Sequence, residues 1–232
     1  MPDPNSTSLI SFQDWTLRVR ESTRPSSRLL LLIHGHTGDE NVMWIFARNL
    51  SSDTWMVAPR APHPSEAEQG GYSWSPHNAE AEDRSSFEQL RPSAEALLRL
   101  VDEYAASINM DASTFDLMGF SQGAAMCSAL AFLYPGRIRK VGMLAGFVPS
   151  GLEEWASRRP VEGKRFFLAH GTKDETVSIE RARASVKLLE QAGAQVTFCK
   201  DNVGHKVSAN CLRALKTFFA DQPSGTADDA DE

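Results

Sequence analysis

Ser121 sits in Gly119-Phe120-Ser121-Gln122-Gly123, which fits the pattern G-x-S-x-G. The spacing suits a sharp turn from a strand into a helix. Glycines flank the serine because side chains there would collide with neighbouring elements, and the helix N-terminus points its amides at developing negative charge. TFDLM before the motif reads as a strand and QGAAMCSALAFL after it as a helix. A serine so placed is a candidate nucleophile, but it needs a base to take its proton.

Where such a turn carries the nucleophile, the acid and then the base follow along the chain. Only His170 and His205 lie after Ser121. His170 ends an expected strand and reads as a core or loop anchor. His205, in DNVGHKVS, falls between the last expected strand and the last expected helix, where a loop can present imidazole to the serine. The acid belongs to the loop after His170. Asp174 comes first in that turn, with Glu175 as the alternative and Asp201, in the loop of His205 itself, as a weaker rival. A carboxylate there would hold the imidazole tautomer and stabilise the imidazolium.

A tetrahedral oxyanion needs two amide donors. One is expected from the N–H of Gln122. The other is expected from His34-Gly35-His36-Thr37-Gly38, at His36. The rival reading of H-G-H as a metal site lacks further ligands at suitable spacing, so neither metal nor cofactor is expected.

These residues require a scaffold of alternating elements. Leu29–Ile33 is apolar without alternation, as in a strand buried on both faces of a parallel sheet. Residues 9–12 and 15–20 suggest an opening hairpin, a helix is expected from Asp39, and 54–58 reads as the next strand. Residues 59–85 show no period and read as a long loop of the kind that is usually functional or mobile. A long helix ends near Ile108, and its apolar stripe includes Leu97, Leu98 and Val101. Strands at 114–119, 138–145, 166–170 and 196–199 then alternate with helices at 122–133, 179–192 and 208–219. That order implies an α/β class, a mostly parallel central sheet with helices on both faces. Residues 1–220 read as one domain and 221–232 as an acidic, disordered tail.

The 232-residue chain carries a formal net charge of −6, which argues against nucleic acid as a partner. The N-terminus lacks the basic and apolar regions of a signal peptide, and no apolar run is long enough for stable membrane insertion. Cys127, Cys199 and Cys211 lack metal-ligand spacing and read as buried reduced thiols of a cytoplasmic protein. A homodimer is compatible with the sequence.

The chain resembles the phospholipase/carboxylesterase family of α/β hydrolases, which includes acyl-protein thioesterases and small bacterial carboxylesterases. The resemblance runs from Leu29 to Phe219. It is carried by LLIHGHTGDE, APRAP at 58–62, GGYSW at 70–74, GFSQGAAM at 119–126, LAGFVP at 144–149, HGTKDETV at 170–177 and VGHKVS at 203–208. It implies an α/β-hydrolase fold without a large cap domain, a Ser121, Asp174 and His205 triad, and a small-molecule acyl ester or thioester as substrate. It favours Asp174 over Glu175. Trp74 and Phe147, in matching segments, are expected as walls of an acyl pocket. The chain departs from the family at His36, where an aliphatic residue is common. A non-catalytic binding protein on the same fold is the competing reading, and it would need no complete triad.

Overall fold

The computed structural model describes residues 6–24, 28–76 and 85–220. Its strands are β1 (Ser8–Phe12), β2 (Trp15–Arg20), β3 (Arg28–Ile33), β4 (Thr54–Pro59), β5 (His63–Pro64), β6 (Tyr72–Ser73), β7 (Phe115–Phe120), β8 (Ile138–Leu144), β9 (Arg165–Gly171) and β10 (Gln195–Asp201). Its helices are α1 (Trp44–Ala47), α2 (Phe87–Ser107), α3 (Gln122–Leu133), α4 (Glu153–Ala156), α5 (Ile179–Gln191) and α6 (Ala209–Ala220). Eight strands form one sheet in the order β1-β2-β4-β3-β7-β8-β9-β10. The β1–β2 and β2–β4 pairs are antiparallel, and from β4 through β10 every pairing is parallel.

Burial on both faces explains the unbroken apolar run of β3. Leu29, Leu31 and Ile33 pack into the layer that holds α2 and α3, while Leu30 and Leu32 pack with residues of α1 and α6. The α3 helix has no polar stripe because it is buried from Gln122 to Phe132. The sheet direction brings the ends of β3, β7, β9 and β10 to one edge, where open parallel sheets place their ligand sites.

Two local expectations are corrected. No helix begins at Asp39. Its carboxylate accepts the Asn41 N–H at 2.8 Å, a local turn that competes with helix, and α1 begins only at Trp44. The cysteines also differ from the expected three reduced thiols, because Cys199 of β10 and Cys211 of α6 form a disulfide with Cα atoms 5.7 Å apart. Strand and helix meet in the layer that also holds Leu30 and Leu32. The disulfide removes the thiol argument for a cytoplasmic location. Cys127 alone is a free thiol among the described residues, and it is buried. The expected tail at 221–232 lies outside the described residues. No helix among them is long and apolar enough to cross a membrane.

Candidate active site

Ser121 occupies the turn between β7 and α3 with φ 52° and ψ −115°. A non-glycine residue in such a conformation costs on the order of 1–3 kcal/mol, so the surroundings must enforce it. They do so by close approach. A Cβ on Gly119 would stand 2.1 Å from the Gly123 carbonyl oxygen, and one on Gly123 would stand 2.0 Å from the Ile33 carbonyl oxygen. The Ser121 N–H donates to the Leu144 carbonyl at 2.8 Å. Gln122 then opens α3, where a backbone N–H has no partner within the helix.

His205 follows β10 and Asp174 follows β9. Nδ1 of His205 donates to Oδ2 of Asp174 at 2.8 Å, which leaves Nε2 as the basic nitrogen. The Asp174 side chain is fully buried and the His205 side chain is 25% exposed. Oδ1 of Asp174 accepts the Thr176 and Val177 N–H groups, each at 2.9 Å, which fixes the carboxylate plane. His170 has the anchoring place expected of it. Its Nε2–H donates to the Val177 carbonyl at 2.8 Å and lies 3.5 Å from Oδ2 of Asp174. Glu175 is exposed, and the carboxylate of Asp201 accepts the neighbouring Asn202 N–H. Asp174 is therefore the carboxylate that meets His205.

The loop after β3 is held by side chains whose roles the sequence did not disclose. His34 is buried, its Nδ1–H donates to the Gly35 carbonyl at 2.7 Å, and its Nε2 accepts the Ala61 N–H at 3.0 Å. Burial pushes its imidazole down to about 4, so it is neutral at pH 7. Both ring nitrogens are thus occupied within the protein. Among the described residues no three His, Cys, Asp or Glu side chains gather to hold a metal ion. Glu40, 2% exposed, receives two hydrogen bonds from Arg60 at 2.8 and 2.9 Å. That pairing holds its carboxyl below the usual range. Arg60 also lies over the Tyr72 ring, 4.8 Å from its centroid. Thr37 donates to the Tyr72 carbonyl and Tyr72 to the Gly38 carbonyl, both at 3.0 Å. The Gln122 side chain completes this bracing. Its Oε1 accepts the Trp74 N–H at 3.1 Å, and its Nε2 donates to Ser73 Oγ at 3.2 Å and to Ser75 Oγ at 3.1 Å. Three separate segments of the chain thereby interlock around the loop that carries His36, which is itself exposed. The only advance signal was the presence of charged and polar residues within otherwise apolar motif segments.

Ser121 and His205 line a cavity of about 700 Å³, together with Gly35, His36 and Lys206. Its apolar lining comes from Val42, Ile45 and Phe46 of the α1 region and from Val207 and Leu212 at the start of α6. Phe120 joins them, stacked on Phe46 at 5.5 Å and tilted against His205 at 5.0 Å. The two aromatic walls expected from the sequence lie elsewhere. Trp74 is fully buried, and its indole N–H donates to the His34 carbonyl at 2.8 Å. Phe147 is also buried and lies under the Arg181 guanidinium, 3.5 Å from the ring centroid. Neither lines the cavity. The Trp74 indole and backbone N–H groups are taken up by the His34 carbonyl and the Gln122 side chain, which hold it in the core, and the cavity is lined by Ile45 and Phe46 of the short α1 instead.

Known proteins match this chain over most of its length. The Debaryomyces hansenii protein named acyl-protein thioesterase 1 is 25% identical over 225 residues, covering 88% of this chain and 95% of that one. An Arabidopsis thaliana protein, "Probable carboxylesterase SOBER1-like", is 27% identical over 221 residues and covers 88% and 81%. The crystal structure of a carboxylesterase from Mesorhizobium loti shares the fold with a TM-score of 0.77 at 24% identity, over 92% of this chain and 98% of that one. The family model described as Phospholipase/Carboxylesterase matches residues 16–222, and this chain belongs to that family of α/β hydrolases.

Proposed function

We propose that the protein is a serine hydrolase that cleaves carboxylic esters or thioesters of small to medium acyl chains through an acyl-serine intermediate. The observation that carries this reading is the 2.8 Å bond from His205 Nδ1 to Asp174 Oδ2, with His205 on the wall of the cavity that also holds Ser121. Nε2 of His205 takes the Ser121 proton as Oγ attacks the acyl carbon. The carbonyl electrons move onto oxygen, and the N–H groups of Gln122 and His36 stabilise that oxyanion. His205 returns the proton to the departing alkoxide or thiolate. A water, deprotonated in turn by His205, then releases the acid. A binding protein without catalysis would have no use for a buried acid that holds the imidazole tautomer.

The test compares wild type with Ser121→Ala on a panel of p-nitrophenyl esters of increasing acyl length and one thioester. The variant is expected to lose ester hydrolysis by several orders of magnitude, on the order of 10⁶ in well-characterised triads, and to lose labelling by a fluorophosphonate. Near-normal turnover in the variant would overturn the proposal.

A further inference from the structure

Cys199 stands just before the end of β10, and Cys211 lies in the first turn of α6. Their disulfide therefore closes a ring of chain around the 202–208 loop, and His205 lies inside that ring. The two halves of the loop are held differently. The upstream half is fixed to the loop of Asp174, because Thr172 donates to the Asp201 carbonyl at 2.8 Å and Lys173 to the Val203 carbonyl at 3.0 Å. The downstream half leads from His205 through Val207 to the start of α6. Ser208 Oγ accepts the Cys211 N–H at 3.1 Å, so this half is fixed to the helix start. The disulfide is the covalent tie between that helix start and the sheet. Val207 and Leu212, which flank this helix start, line the cavity, while the rest of α6 is held by its buried Leu215, Phe218 and Phe219.

We propose that Cys199–Cys211 is a thiol–disulfide exchange site that sets the activity of the adjacent base, the oxidised chain being the active form; this rests on the assignment of His205 made above. A dithiol supplies the two electrons. Its thiolate attacks Sγ of Cys199, which is only partly buried, whereas Cys211 is 1% exposed. The Sγ–Sγ bond breaks, and Cys211 leaves as a thiolate and takes a proton. The reagent's second thiol then attacks the mixed disulfide, closes its own ring and releases Cys199, which is protonated in turn. With the ring open, the 205–211 segment samples more conformations, and the imidazole spends less time in line with Ser121. Cys127 takes no part, because it is buried and burial pushes its thiol up.

The experiment measures kcat and KM on a short ester before and after treatment with a dithiol, and again after reoxidation. It also follows the low-field proton of the His205–Asp174 hydrogen bond by NMR. A thiol titration under denaturing conditions assigns the redox state of each sample. The oxidised chain is expected to titrate one thiol and the reduced chain three. Reduction is expected to lower kcat at least about fivefold, since a shift of about 1 Å can cost about a hundredfold. It should broaden the low-field proton, and reoxidation should restore both. A Cys199→Ser/Cys211→Ser variant should hold the reduced rate and ignore the dithiol; if it fails to fold, the reduced wild type carries the comparison. An unchanged rate with an unchanged low-field proton overturns the proposal, and so do three thiols remaining after mild oxidation. Should neither form hydrolyse any ester while the proton still responds to reduction, the hydrolase reading fails and the exchange site stands.

Discussion

Oδ2 of Asp174 and Nδ1 of His205 meet at 2.8 Å although 31 residues separate them in the chain. Parallel pairing of β9 with β10 makes the contact possible, because it brings the two strand ends to the same edge of the sheet. The other carboxylate oxygen is occupied by two backbone N–H groups, so the acid cannot rotate away.

Asp174→Asn should keep those backbone bonds through its amide oxygen and turn an N–H₂ group toward His205. The imidazole then favours the wrong tautomer, and kcat should fall by roughly 10⁴-fold with the fold intact. Glu175→Gln, at an exposed position, serves as the parallel measurement. Should that variant be the inactive one, the acid has been assigned to the wrong carboxylate.

Arg60→Ala should leave the Glu40 carboxylate buried without its ionic partner. Breaking such a pair from one side costs about 3–5 kcal/mol, with the lower end expected here because Arg60 itself is 32% exposed. Urea unfolding of the variant measures that cost. Restoration of much of the loss by the double change Arg60→Met/Glu40→Gln would show that the orphaned charge is responsible. A single variant as stable as wild type would contradict the bracing role.

His34 should make stability depend on pH. Its folded value is about 4, against an ordinary 6.5, because burial disfavours the imidazolium. Between those values the unfolded chain binds a proton that the folded chain does not. The contribution is therefore fully present above about pH 6.5 and is lost as pH falls toward 4, by about 3 kcal/mol in all. Unfolding free energies at pH 7, 6 and 5 should decline more steeply for wild type than for His34→Gln. Equal slopes would remove His34 as the cause.

Ile45 and Trp74 should respond in opposite ways. Ile45, 61% exposed on the cavity wall, can change without harm to the core. Ile45→Ser should flatten the rise of kcat/KM with acyl length, since each buried methylene contributes about 0.8 kcal/mol. Trp74→Ala should destabilise the fold by about 3–5 kcal/mol and lower the rate alike at every acyl length. A loss confined to long chains in the Trp74 variant would return that residue to the acyl pocket.

The elements around Ser121 were legible in the sequence because their causes are local. The turn at Ser121 follows from Gly119 and Gly123, since the missing side chains decide whether strand and helix can approach. The unbroken apolar run at Leu29–Ile33 signals burial on both faces, and α3 was readable from QGAAMCSALAFL for the same reason. What the tertiary structure decided depended on contacts between segments distant in the chain. Asp174 and Glu175 are adjacent and chemically alike, and only the path of the turn after β9 determines which one faces His205. Asp39 has the type of a helix cap, but Asn41 takes its carboxylate into a turn. Trp74 has the type of a pocket wall, but the His34 carbonyl and the Gln122 side chain draw it inward. Cys199 and Cys211 carry no sign of each other in the sequence. Their pairing requires β10 and α6 to meet, and a disulfide forms only where folding brings two Cα atoms to within about 7 Å.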